Sequence, residues 1–218
     1  MKDIKDYRNN ELKNYVIGNI LIILFLNGVL DMFFVEGISE NVEFLDKIIQ
    51  SAMVSSITYI YVFLMDSLIS ADFKEKITYF GIDKMPGYTV FSDMKNGVKD
   101  IRFTKETVLE KYREIYEKMP KEKEIKEFYE NEQWYQIYKK YRDKNKVFTS
   151  HRDYLLCRDI TTITLVLMFI YMLLVVIFNT ISFSWQTICF LGIEFLVADI
   201  AMRVKAKRFV YNVISEDM

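Results

Sequence analysis

Two cysteines, one histidine and two prolines in 218 residues deprive several classes of protein of their raw material. Cys157 falls at the edge of one hydrophobic run and Cys189 inside another, so no disulfide framework is expected. A structural zinc site needs about four sulfur or nitrogen ligands, which His151 and two distant cysteines do not supply. The chain also lacks a GxGxxG turn, a phosphate loop, an HExxH pair and a nucleophile elbow. No serine has an evident base partner. The expectation is therefore no enzyme, no metal and no cofactor. Charge of one sign is missing too, since 29 basic residues balance 30 acidic ones.

What the chain does have is segregation. Hydrophobic residues make up 51% of the total and aromatics 16%, but the apolar ones gather in long runs with the charges between them. A helix needs about 20 apolar residues to cross the hydrocarbon core of a bilayer. Tyr15–Phe34, Ile48–Ala71, Ile160–Phe183 and Trp185–Val204 meet that length. The first run is longer than a signal-peptide core and no small-x-small cleavage pattern follows it, so it reads as a retained anchor. The predicted fold class is mainly α: four transmembrane helices with a small, mostly helical cytoplasmic domain between helices 2 and 3. Residues 1–71 form an N-terminal transmembrane hairpin, 72–159 the cytoplasmic domain, and 160–218 a C-terminal hairpin with a short tail.

Loop charge orients these spans. Lys2, Lys5, Arg8 and Lys13 precede the first, and Arg203, Lys205, Lys207 and Arg208 close the fourth. The loop between the first two carries Glu36, Glu40, Glu43 and Asp46 against Lys47 alone. Basic residues stay inside, which puts both termini and the central segment in the cytoplasm. The richness in Lys, Ile, Tyr, Phe and Asn suits an AT-rich bacterial genome, and so a bacterial plasma (inner) membrane.

In the central segment Pro86-Gly87 reads as a turn flanked by short strands or extended stretches at Tyr88–Phe91 and Ile101–Phe103. Thr104 is a suitable N-cap for a helix whose apolar face is Val108, Leu109, Tyr112, Ile115, Tyr116 and Met119, ended by Pro120. A second helix is expected from Lys121 to Arg142, with Asn131 as a break, and a third from near Phe148 straight into the third span. That last one exceeds 30 residues, roughly 50 Å at the α-helical rise. It is either a rigid link or an economical connection. About 88 residues make a thin core, so the aromatic faces are expected to pack between subunits or against the charged tails as well. A homo-oligomer follows, with a tetramer as the first expectation.

Polar groups inside spans are costly and usually face a bundle interior or water. Ser51, Ser55, Thr58 and Asp66 lie on roughly one stripe of the second span, and Glu194 sits in the middle of the fourth. Asn27 and Asp31, one turn apart, and Asp199 are further such groups. Apart from Arg203 at the boundary of the fourth, no Lys or Arg lies within a span to pair with these carboxylates. They are the pore-lining candidates, with close helix packing as the competing reading for the serines. A ring of Glu194 side chains around an oligomer axis would favour cations. Trp134, Tyr135, Tyr138, Lys139, Lys140, Arg142, Lys144, Lys146, Arg152 and Arg158 interleave rings with bases, which suits stacking and phosphate neutralisation. They are the ligand-binding candidates, against the reading of a solvated juxtamembrane face over an aromatic core. His151 is expected near the lipid headgroups.

Pro86-Gly87, Asp100-Ile-Arg-Phe103, Lys111-Tyr112, Trp134-Tyr135 and Tyr154-Leu-Leu-Cys-Arg-Asp159 occur in that order over about 80 residues. In this the chain resembles the membrane effectors of bacterial anti-phage defence, particularly the Hailong type paired with a nucleotidyltransferase. The resemblance implies an oligomeric channel or pore, gated by a nucleotide or DNA oligomer made by the partner, whose opening passes ions and depolarises an infected cell. It assigns no individual ligand residue. The alternative is a non-conducting anchor or assembly subunit that recruits a cytoplasmic protein.

Overall fold

The computed structural model describes residues 4–28, 56, 59–60, 63–64, 67–80, 84–97, 100–177 and 181–218, with side chains from residue 10 onward. Among them the chain is helical, with no strand. The elements are α1 (Ile4–Leu26), α2 (Ala71–Thr78), a 3₁₀ turn (Pro86–Tyr88), α3 (Val90–Asn96), α4 (Lys105–Lys111), α5 (Arg113–Glu117), α6 (Lys123–Tyr141), α7 (Asn145–Val176) and α8 (Trp185–Asp217). Two compact units divide them. One comprises residues 1–74 and 158–199, the other 75–157 and 200–218, so α7 and α8 each contribute to both.

In the first unit α1 packs with the later part of α7 and the early part of α8. Among the described residues one helix, α7, is long and apolar enough to cross a membrane, with a mean hydropathy of 2.3 in its most apolar window. The outward side chains of this unit are apolar: Leu21, Phe25, Phe169, Val176, Ile193, Leu196 and Val197 are each at least half exposed. Several inward ones are polar, among them Asn19, Thr161, Thr162, Thr164 and Thr187. Val16, Ile20, Leu24, Ile163, Leu167 and Leu191 are buried beside them.

The second unit likewise has an apolar core. Val90, Phe91, Met94, Val108, Trp134, Val147, Phe209, Val210 and Ile214 form one buried cluster. Phe209 stacks on His151 at 4.6 Å and meets the edges of Trp134 and Tyr138 at 5.4 and 5.5 Å. What reads in sequence as a short tail after Val204 is thus the continuation of α8, with Ala206, Val210, Val213 and Ile214 fully buried.

Several expectations are corrected here. Tyr88–Phe91 is not a strand: it closes the 3₁₀ turn and opens α3. Two contacts fix this. A Cβ on Gly87 would lie 2.8 Å from Asn131 Oδ1 and 3.1 Å from Trp134, so the turn is seated directly on α6. The fully buried Glu130 then accepts hydrogen bonds from the Ser92 amide, at 2.9 Å, and from its hydroxyl, satisfying the start of α3. Ile101–Phe103 is a turn into the N-cap, where Asp100 holds the Arg102 guanidinium at 2.6 and 2.8 Å. Thr104 does cap α4, in a reciprocal box with Thr107. The helix it starts is interrupted at Tyr112 rather than running to Pro120. Asn131 breaks nothing, and α7 is continuous over 32 residues. His151 belongs to the ring cluster, with Nδ1 3.0 Å from the Tyr138 hydroxyl.

Candidate functional site

Two groups of polar residues merit a chemical reading, one in each unit. In the first unit Tyr15 and Asn19 of α1, and Asn27 in the turn just past its end, are spaced at multiples of four residues, which brings them to roughly one side. The Thr164 hydroxyl donates back to Ile160 O at 2.8 Å and accepts the Tyr15 hydroxyl at 2.7 Å. Asn19 Nδ2 donates to Glu194 Oε1 at 3.2 Å and to Tyr15 O at 3.1 Å. About two turns along α1, Asn27 donates to Thr187 Oγ1 at 2.9 Å and accepts the Tyr171 hydroxyl at 3.2 Å. That hydroxyl in turn accepts the Ser184 amide at 2.7 Å, closing the turn that opens α8. Asn19 Oδ1 and Glu194 Oε2 are buried without a hydrogen-bond partner. This amounts to two adjacent side chains with acceptor capacity left over, in a unit whose outer face is apolar.

Of the pore-lining candidates, Ser51, Ser55, Thr58 and Asp66 lie outside the described residues, as does Asp31. Glu194 is described, and its bond to Asn19 lies within one chain rather than across an oligomer axis. Asp199 is buried on the same helix. Tyr15, Asn19, Thr164, Tyr171 and Thr187 went unremarked in the sequence. The four-residue spacing of Tyr15, Asn19 and Asn27 was the available signal.

In the second unit the basic-aromatic segment divides by face. Trp134 is core, 3% exposed, and its indole donates to Val210 O at 3.4 Å. Tyr138 is half-buried against Trp134 and Phe209, so neither ring is free to stack on a ligand. Tyr135 is exposed, with Lys139 Nζ 4.7 Å from its centroid. Most of the bases are already paired. Arg152 binds Asp153 at 2.9 Å, and Lys205 binds the other oxygen of that carboxylate at 2.8 Å. Burial pushes the Asp153 carboxyl up, but these two cations outweigh it and hold it below its ordinary range. Arg158 lies in the first unit, where it and Lys74 share the fully buried Asp159. Arg142 faces Asp143 at 3.8 Å, and Lys144 stands exposed.

Lys140 and Lys146 meet the end of α8. Lys140 Nζ is 3.3 Å from Asp217 Oδ1, and Lys146 reaches Ser215 Oγ at 3.2 Å and Glu216 at 3.9 Å. Lys111 lies 4.0 Å from Asp217, whose other oxygen accepts the Tyr112 hydroxyl at 3.0 Å. Burial and that carboxylate push the Tyr112 phenol far up, so it remains a donor. Lys111, Tyr112, Glu216 and Asp217 are not among the ligand-binding residues expected from the sequence.

Comparison with family models, curated proteins and solved structures gives no match. The chemistry of the two groups therefore carries the functional reading. Among the described residues no group of three or more His, Cys, Asp or Glu is placed to hold a metal ion.

Proposed function

We propose that this chain is a four-span membrane effector that assembles as a homo-oligomer, with a tetramer the first expectation, and forms a ligand-gated ion channel. Both termini and the second unit lie in the cytoplasm of a bacterial cell. The gating ligand is a nucleotide or nucleic-acid oligomer received at the exposed bases around α6 and the start of α7. The resemblance to anti-phage effectors adds the setting: the ligand comes from a partner nucleotidyltransferase, and gating answers infection.

The observation that carries this reading is the apolar outer face of the first unit, together with the polar groups set among its buried apolar side chains. Apolar side chains face outward on α1, α7 and α8, while Asn19, Glu194 and the threonines face inward. In water that arrangement would leave apolar surface exposed and polar groups buried at a cost. In lipid it is the favourable one. A carboxyl with an unsatisfied oxygen in such an interior supports an ion path, and α7 and α8 run on into the second unit, where the ligand is received.

A second reading is favoured by one specific contact. The Asn19–Glu194 hydrogen bond is made within a single chain and is of the kind that ties spans together in a sealed bundle. It suits a non-conducting anchor whose second unit recruits a protein. Ion flux from sealed liposomes holding the purified chain, with and without short DNA oligomers and cyclic nucleotides, separates the two. Flux switched by such a ligand and altered in selectivity by Glu194→Gln is the expected result. Membranes that stay tight under every condition, with the oligomer intact, would leave the anchor.

A further inference from the structure

The bases on α4, α6 and α7 are not an open surface: the end of α8 lies on them. Lys111 closes α4, Tyr112 follows it, Lys140 sits in the last turn of α6 and Lys146 in the first turn of α7. Three separate elements thus converge on one pair of acidic residues. Asp217 takes the Tyr112 hydroxyl, Lys140 and Lys111 at 3.0, 3.3 and 4.0 Å, and Lys146 takes Ser215 and Glu216. The Asp217 side chain is 9% exposed, whereas the three lysines are 44%, 65% and 44% exposed and reach solvent beside it. Two ammonium groups and a phenol donor around the Asp217 carboxylate, with a third ammonium on the neighbouring Glu216, are the components of a site for an oxyanion of higher charge. Asp100 also lies near Lys146, and Arg102 already covers it with three hydrogen bonds, two from its guanidinium and one from its amide.

The attachment of α8 changes character along its length. Through Ile214 its inner face is held by apolar burial, with Arg203, Lys205 and Asn212 adding polar contacts beside it. Ser215, Glu216 and Asp217 are held by the polar contacts just described. A phosphoryl group brings more negative charge and more acceptor oxygens than a carboxylate, so it competes effectively for the same donors. Exposed Lys139, Arg142 and Lys144 lie next in sequence to Lys140 and Lys146, available to the rest of a polyanion.

We propose that Glu216 and Asp217 are a built-in competitor for phosphate-bearing ligands, occupying a cradle of Lys111, Tyr112, Lys140 and Lys146 that takes a phosphoryl anion when the last turn of α8 leaves it. This rests on reading the α6–α7 region as the ligand site and adds its regulation. The ligand pays for entry by displacing two carboxylates, which sets a threshold concentration below which the site stays closed.

The test is calorimetric titration of inorganic tripolyphosphate into the full chain in phosphatidylcholine nanodiscs. Removing both opposing carboxylates, as E216Q/D217N, is expected to tighten binding by about three- to tenfold, the scale of one or two partly exposed ion pairs. Adding K111Q/K140Q/K146Q to that variant should abolish the gain. Because Asp217 is nearly buried and its loss could loosen the unit, E216Q alone is the second variant, with a smaller gain in the same direction. Equal affinity in wild type and both tail variants, with melting temperatures preserved, overturns the competitor while leaving the ligand site standing. Absence of binding in every form overturns the ligand site itself, and the competitor with it. Repeating the series in phosphatidylglycerol nanodiscs separates sources: a headgroup in the cradle erases the gain there, and a soluble phosphate ligand retains it.

Discussion

Ile193, Leu196 and Val197 on α8 are about 60% exposed, with Glu194 among them turned inward to Asn19. Further along the same helix, Met202, Ala206, Phe209 and Val210 are buried, and Lys207 and Arg208 are exposed. One continuous helix therefore presents opposite polarity to its surroundings in its two units. The contrast teaches that burial alone does not identify a core here. In the second unit the buried face is the apolar one and water drives its assembly. On the proposed reading, the apolar surface of the first faces lipid and has nothing to gain by leaving it, so close packing and hydrogen bonds such as Asn27–Thr187 hold the helices.

Equal truncations at the two ends of α8 should expose that difference most strongly. Phe209→Ala removes a ring touching Trp134, Tyr138 and His151 and is expected to cost about 3–5 kcal/mol, enough to unfold the second unit. Leu196→Ala, with the chain in nanodiscs, should cost less than about 0.5 kcal/mol. Melting followed by tryptophan fluorescence measures both. Similar losses at the two positions would mean that Leu196 is buried against something other than lipid. Gly87→Ala comes next. Its new Cβ would meet Asn131 Oδ1 at 2.8 Å and the Trp134 ring at 3.1 Å, for an overpacking cost of about 1–3 kcal/mol read from the same melts.

Glu130 adds a pH dependence specific to the second unit. Burial raises its carboxyl above the ordinary value, and the Ser92 hydrogen bonds oppose that without cancelling it. Over the interval between the unfolded and folded values the native state holds a proton that the unfolded chain has lost. Stability therefore falls as pH rises through that interval and is level above it. Glu130→Gln can still accept from the Ser92 amide and donate to its hydroxyl, so it should flatten the slope and leave low-pH stability nearly unchanged. An undiminished slope in the variant would assign it to another group.

How much of this was readable in advance depends on whether a local signal met a tertiary contact that contradicted it. Nothing in Asn145–Val176 breaks a helix, and α7 is continuous as expected. Thr104 caps because its own side chain and that of Thr107 suffice. Tyr88–Phe91 has strand-forming residues, but Gly87 docking on α6 and Glu130 binding Ser92 override that propensity. The apolar residues of 209–214 follow Lys205, Lys207 and Arg208, which disguise them as a tail. Alternating rings and bases at 134–142 are legible as a motif, yet helical spacing turns Trp134 inward and Lys139 outward, so the motif divides between core and surface.

The smallest expected effect is the most informative about the first unit. Asn19 and Glu194 share one hydrogen bond, and each keeps a buried oxygen unsatisfied. If the pair acts as glue between α1 and α8, a double-mutant cycle with Asn19→Ala and Glu194→Ala, each of which removes the hydrogen bond, should give a coupling of about 0.6 kcal/mol, and at most about 1.7. Both amounts are small because the separated helices in lipid would find other partners for the same groups. If Glu194 instead faces a water-filled path, its carboxyl is solvated whether or not Asn19 is present. The coupling then falls to near zero, while Glu194→Gln still changes ion selectivity. Thermal melts in nanodiscs give the first quantity and liposome flux the second. A coupling near 0.6 kcal/mol with unchanged flux identifies packing, and the opposite pattern identifies a path.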